Sequence, residues 1–193
     1  VETLDPAFAK NQYIMWNVNQ CFNRLIEFNE QMQATPSLAK SWRISPDRKT
    51  YTFILRDDVF FHDNDAFPNG KGRKMVANDV VFSFSRLIDE ETASSGAWIF
   101  NDRVDSVKPF VAVDDTTFQL NLQRPFNPML GILSMMYCSI VPHEVVKKWG
   151  KDFRSHPCGT GAFRMQDWEE GVVITYRKNP HYWEHDSEGN PLP

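Results

Sequence analysis

The sequence has no CxxC pair, no long apolar run and no basic stripe, and each absence removes a class of function. Its three cysteines, Cys21, Cys138 and Cys158, lie far apart, so neither a zinc knuckle nor a thioredoxin-like redox motif is available. They read as small buried hydrophobes. A Cys138–Cys158 bridge stays open in an oxidising compartment, with one thiol left over and the connectivity not legible from sequence. The longest apolar stretch, Met129 to Val141, is broken by Gly131, Ser134 and Ser139. It is too short to cross about 30 Å of hydrocarbon as a helix. With a net charge of −4 and scattered Lys and Arg, the chain lacks the electrostatic footprint of a nucleic-acid binder, and no nucleic-acid partner is expected. It starts at Val1 without a charged-then-apolar leader, so any signal peptide is expected to have been removed.

What is present is ordinary globular material: 41% hydrophobic and 24% charged residues, enough for a packed core in one domain or two small ones. Trp42 and Ile44 alternate with polar residues, Ser45-Pro46-Asp47 supplies turn chemistry, and Tyr51, Phe53 and Leu55 alternate on the way back. This is a hairpin. A second has Val111 and Val113 leading into Asp114-Asp115, then Phe118, Leu120 and Leu122 at period two until Pro125 ends it. Between them, Ala77, Val80, Val81, Phe84, Leu87 and Ile88 share one helical face, with Asp79 at the positive end of the dipole. A later helix is expected from Pro142 through Val145 and Val146 to Gly150, with Lys147 and Lys148 near its negative end. The third hairpin enters through Gly159-Thr160-Gly161, read as a place of unusual φ. It runs along Phe163 and Met165, turns at Glu169-Glu170-Gly171 and returns along Val172, Ile174 and Tyr176. Strands and helices mixed with hairpins predominating define an α+β fold rather than a regular βαβ nucleotide fold.

Catalytic patterns fail on inspection. His181-Tyr182-Trp183-Glu184-His185 matches the H-x-x-E-H pattern of a zinc peptidase, but that chemistry needs a settled helix and a third ligand. Pro180 precedes the run and Ser187-Glu188-Gly189-Asn190-Pro191 breaks any helix after it, so a solvated loop is expected. His62-Asp63-Asn64-Asp65 resembles a calcium loop, yet Pro68 stands where Gly belongs, which favours turn capping. Arg164 replaces the third Gly of G-x-G-x-x-G, no G-x-S-x-G occurs, and His156 with Cys158 lacks an orienting carboxylate. The carboxylate pairs Asp57-Asp58, Asp114-Asp115 and Glu169-Glu170 fall at turns. No enzyme, catalytic residue, metal or cofactor is expected. The aromatic content is 13%, with six Trp. Trp42 and Phe53 read as core, whereas Tyr13, Trp16, Trp98 and Phe100, in segments without a clear period, are free to line a cleft.

The order Leu4-Asp5-Pro6-Ala7, Asn23-Arg24-Leu25, Pro36 to Trp42, Ser45-Pro46-Asp47 and Thr50-Tyr51-Thr52-Phe53 with Leu55-Arg56 resembles the bacterial family 5 extracellular solute-binding proteins. These are the dipeptide-, oligopeptide- and nickel-binding components of ABC importers. Phe61-His62-Asp63, Ala77 to Phe84 with Arg86, Gly159 to Phe163, Asn179-Pro180 and Tyr182-Trp183 continue the likeness over nearly the whole chain. Departures are Cys158 and Ala162 around the Gly-Thr-Gly and an insertion from Pro68 to Lys74.

The resemblance implies lobe I of a two-lobed clamp of the periplasmic-binding-protein type II-like kind, with the second lobe outside this sequence. Residues 1–28 and 147–193 would form its base and 29–146 an appended subdomain. Ligand contacts carried over are Lys10, Asn11, Gln12 and Tyr13 in a first loop, Ala97, Trp98 and Phe100 in a second stretch, and Tyr137, Cys138 and Ser139 in a third. The implied partners are a peptide ligand and the membrane permease of an ABC importer, for a monomer held outside the cytoplasm as a lipoprotein. A nickel-chelate or other small-solute binder is the alternative, although His62, His143 and His156 do not cluster in sequence. A metallopeptidase acting through His181, Glu184 and His185 is the distant one.

Overall fold

The computed structural model describes residues 1–192; Pro193 lies outside the described residues. Among the described residues, eight strands form three antiparallel sheets. β1 (Ile26–Phe28) pairs with β2 (Ala34–Pro36), and β7 (Phe163–Glu169) pairs with β8 (Val173–Lys178). The largest sheet has the order β3 (Ala39–Ile44), β4 (Thr50–Leu55), β6 (Thr117–Asn121), β5 (Phe110–Asp114). Helices α1 (Gln12–Cys21), α2 (Ala77–Ile88), α3 (Met129–Leu133) and α4 (His143–Trp149) complete an α+β lobe. The boundary expected between residues 28 and 29 falls inside the β1–β2 hairpin, whose register couples Phe28 to Ala34.

The β3–β4 hairpin forms as the alternation requires, with Tyr51, Phe53 and Leu55 buried. In the second hairpin the inward residues of β5 are Phe110 and Ala112, not Val111 and Val113. The register sets Phe110 opposite Leu120 and Ala112 opposite Phe118, and residues paired across strands share a face. Val111 and Val113 therefore point the other way, and Val113 is exposed.

Helix α2 lies across β5 and β6 and buries Ala77, Val80, Phe84 and Leu87, an i, i+3, i+7, i+10 stripe. Phe84 is the centre of the core. Its ring meets those of Phe100 at 5.1 Å, Phe110 at 5.6 Å and Phe118 at 5.5 Å, and Phe118 stacks on Phe53 at 6.2 Å. Asp79 caps the helix, its Oδ2 accepting from Val76 N–H at 2.9 Å, and is held by Arg73 at 2.6 Å. Arg73 also grips Glu144 of α4 at 2.5 Å, so one guanidinium ties two helix starts together. α4 begins one residue after the expected Pro142, which takes the N-cap position. It ends at Gly150 with φ 52, a conformation that favours glycine.

Helix α1 was not expected. Ile14, Val18 and Cys21 are buried at i, i+4, i+7, and Asn11 caps its start by accepting from Ile14 N–H at 3.0 Å. All three cysteines are buried free thiols.

Candidate functional site

Two contacts link the neighbourhoods of the three predicted stretches. The Ser94 hydroxyl donates to Ala7 O at 2.6 Å, which fastens the segment before Ala97 to the turn Pro6–Phe8 that leads into Lys10. Gly96 lies flat on the ring of Tyr137: a Cβ there would come within 2.7 Å of it. The segments leading into residues 10–13 and 97–100 and the turn at residues 137–139 are thus neighbours, although far apart in the chain.

Within these stretches the side chains divide. Lys10, Asn11, Gln12 and Tyr13 are exposed, but only Lys10 lies outside helix α1: Asn11 caps it and Gln12 and Tyr13 open it. The Tyr13 ring, 71% exposed, stands edge-on to Trp16 at 6.1 Å. Asn11 spends its side-chain oxygen on the helix cap and retains its NH2. Lys10 is 3.9 Å from Glu2 between two solvated side chains, a pair that contributes little. Trp98 is 46% exposed and Ala97 partly so. Its carbonyl accepts from Arg103, whose guanidinium also stacks on Phe126 at 4.8 Å.

Phe100, by contrast, is completely buried against Phe84 and Phe110, so the expectation that its ring belongs to a cleft wall is corrected: it completes the core. Tyr137, Cys138 and Ser139 are buried as well. The Ser139 hydroxyl donates to Met136 O at 2.7 Å and the Cys138 thiol leans on Ile132 O. Burial pushes that thiol far above its usual range, which leaves it un-ionised and inert. The backbone is largely engaged too: Phe100 N–H donates to Ala97 O and its carbonyl accepts from Arg103 N–H, while Cys138 and Ser139 N–H donate to Met135 O and Met136 O.

A second constellation escaped the sequence reading. Asn23, at the end of α1, accepts from the Thr160 hydroxyl at 3.0 Å and from Trp183 Nε1 at 3.3 Å, and its amide donates to the Tyr182 hydroxyl at 3.4 Å. Asn179 donates to Gly161 O at 3.0 Å. Buried His62 donates from Nε2 to the same carbonyl at 2.8 Å, and its Nδ1 takes Gly159 N–H at 3.4 Å. This pattern fixes a neutral tautomer, and burial lowers the pKa to about 4. The Gly159-Thr160-Gly161 turn does not use positive φ; it is a place of close approach. A Cβ on Gly159 would sit 2.2 Å from Cys21 O, and one on Gly161 would sit 2.5 Å from Gln20 O. Asn23, Thr160, Asn179 and Trp183 all stand in the motifs quoted above. The bonds of Asn23 to Thr160 and Trp183 span 137 and 160 residues and leave no local signal.

The metal readings find little to stand on. His181 to His185 is not helical, Glu184 accepts from the Tyr182 hydroxyl at 2.8 Å, and His185 Nδ1 bonds Trp183 O. Among the described residues no group of three His, Cys, Asp or Glu side chains could hold a metal ion. In the His62 to Asp65 run, Asp63 accepts from Gly72 N–H and Asn64 from Ala66 N–H, which is turn capping.

The helix start at residues 10–13 and Trp98 are thus open to solvent, whereas the turn at residues 137–139 is buried. Comparison with known proteins gives the family. The sequence pattern of the bacterial extracellular solute-binding proteins, family 5 Middle, matches residues 33–192. The chain is 34% identical over 175 residues to the dipeptide-binding protein of Escherichia coli (strain K12), covering 84% of this chain and 32% of that protein. In structure it resembles the ABC transporter-associated periplasmic binding protein DppA from Helicobacter pylori in complex with peptide STSA. The TM-score is 0.84 at 29% identity, over 95% of this chain and 38% of that one. It also resembles NikZ from Campylobacter jejuni in complex with Ni(L-His), with a TM-score of 0.80 at 27% identity over 95% of this chain and 34% of that one. The chain belongs to the bacterial extracellular solute-binding proteins, family 5. It spans about a third of the length of the relatives it matches.

Proposed function

We propose that this chain is one lobe of the substrate-binding component of an ABC importer, which captures di- or oligopeptides outside the cytoplasm and passes them to a membrane permease. The intact protein would be a monomer anchored as a lipoprotein, holding its ligand without transforming it. Residues 1–28 and 147–193 would be the base of the lobe and 29–146 the appended subdomain.

What supports the reading is membership of the family together with the exposed rings of Tyr13, Trp16 and Trp98. Phe100, Tyr137, Cys138 and Ser139, buried as they are, would back the surface on which an extended peptide lies. Lys10, Asn11, Gln12, Tyr13, Ala97 and Trp98 would meet its side chains, and the rings would form an adaptable wall. Closure of a second lobe over this face would select the liganded state. In the intact protein, Trp98→Ala is expected to weaken peptide binding about tenfold, as loss of an aromatic anchor does. Calorimetric titration with a di- to oligopeptide panel tests it, and unchanged affinity would remove Trp98 from the site.

A nickel-chelate ligand is the second reading, favoured by the likeness to NikZ. A titration with nickel–histidine in place of peptide separates the two.

A further inference from the structure

The Pro68 to Lys74 insertion carries the one Asn-Gly pair in the sequence, Asn69-Gly70, and the peptide reading makes no use of it. The pair forms the tip of a loop whose base is fixed. Asp63 accepts from Lys71 Nζ at 2.9 Å and from Gly72 N–H at 3.0 Å. A Cβ on Gly72 would come within 1.8 Å of Phe61 O, so that end of the loop has no room to shift. At the other end Phe67 is buried and its ring stacks on Phe61 at 6.2 Å. We propose that Asn69 is a site of spontaneous covalent modification, its side-chain amide being converted through a cyclic imide to aspartate and isoaspartate.

The reaction consumes only water. The Gly70 nitrogen gives up its proton to hydroxide and attacks Asn69 Cγ, forming a new C–N bond. The side-chain nitrogen takes a proton from water and leaves as ammonia. Water then adds to either carbonyl of the imide. Opening on one side restores the main chain with an aspartate, and opening on the other routes the main chain through the former side chain as isoaspartate. Either way a carboxylate stands where an amide was.

The geometry of the tip admits the attack. Asn69 is exposed, and its side chain makes no hydrogen bond among the described residues. Asn69 with φ 56 and Gly70 with φ 71 are both left-handed, a conformation that asparagine and glycine visit more readily than other residues. A Cβ on Gly70 would meet nothing within 4 Å, so the surroundings of the attacking nitrogen are open. Its restraint is a single turn, Pro68–Gly70, in which Gly70 N–H donates to Phe67 O at 3.0 Å and Lys71 N–H weakly to Pro68 O at 3.4 Å. So short a turn at a loop tip opens easily. Asn64 at the foot of the same loop is the contrast: it is partly buried, spends its Oδ1 on Ala66 N–H at 3.0 Å and is followed by Asp65. Isoaspartate would add a methylene to the main chain, and with the Gly72 end fixed the turn itself must absorb it.

The test is incubation of the intact protein at mildly alkaline pH, followed by anion-exchange chromatography and peptide mapping by mass spectrometry. A more acidic species is expected, its modification concentrated at Asn69 and resolved into aspartate and isoaspartate peptides. Folding should slow the reaction by no more than about tenfold against the urea-unfolded chain, the worth of one hydrogen bond. Gly70→Ala should slow it at least about tenfold, because a Cβ crowds the attacking nitrogen and restricts the backbone. Asn69→Gln should abolish the acidic species, and Asn69→Asp should reproduce its charge from the start, with circular dichroism confirming that each variant is folded. An Asn69 that stays an amide in the folded protein while the unfolded chain reacts would overturn the proposal. So would an acidic species that persists in Asn69→Gln, or modification spread evenly over the other asparagines. None of these results depends on the peptide reading being correct.

Discussion

The sheet that carries α2 and the β7–β8 hairpin are built from the same alternation, yet they are held in opposite ways. In the sheet, Phe53, Phe84, Phe100, Phe110 and Phe118 form one aromatic cluster in which each ring touches others from different segments. In the hairpin no residue of either strand is fully buried: Val173 is 47% exposed, and Val172 in the connecting turn 71%. The hairpin is fastened instead at its root, where Gly159-Thr160-Gly161 docks on α1 through Asn23, His62 and Asn179. One region owes its stability to area removed from water, the other to a few polar bonds that need an exact fit.

Removing the central ring should produce the largest loss. Phe84→Ala is expected to destabilise the protein by about 3–5 kcal/mol, from lost burial and the cavity left behind. Urea unfolding measures it, and a loss under about 1 kcal/mol would mean that the cluster can collapse onto the gap.

At the hairpin's root the same kind of loss should arise from adding an atom. A Cβ on Gly161 would meet backbone, which cannot swing aside, so Gly161→Ala should cost about 1–3 kcal/mol. The hairpin should then exchange its amide hydrogens faster than the sheet does. Equal exchange in both regions would show that the root does not govern the hairpin.

The root should also respond to acid where the sheet does not. The folded pKa of His62, about 4, lies below the ordinary value of 6.5, so the unfolded chain takes up the proton first. Its contribution is intact above pH 6.5, falls as pH drops toward 4, and reaches a loss of about 3 kcal/mol below that. Comparing stability against pH for the protein and for His62→Gln, whose curve should lack that slope, isolates the residue.

Smallest of all should be the hairpin's outer face. Val172→Thr is expected to change stability by less than about 0.5 kcal/mol. A larger loss would mean that this valine is covered in the intact protein.

The same contrast explains what the sequence disclosed. The three hairpins and α2 were legible because turn residues and period lie side by side in the chain. α1 was hidden: Asn11, Asn17 and Asn19 obscure a stripe of only three apolar positions, so Tyr13 and Trp16 looked like loop residues. Phe100 has no local period, and nothing near it announces that Phe84 and Phe110 close over it. The Gly-Thr-Gly turn was visible, but its cause was not, since a close approach to Cys21 depends on a segment more than a hundred residues away. Of the residues proposed for the contact surface, Phe100, Tyr137, Cys138 and Ser139 are buried, which nothing in their own segments discloses.

The central claim is capture of peptide by the intact protein, and its melting temperature tests that most directly. With a di- to oligopeptide panel at a hundredfold excess over Kd, binding to the folded state alone should add about 2.7 kcal/mol of stability, an upward shift of several degrees. A panel that shifts nothing, whether or not nickel–histidine does, would contradict the peptide assignment.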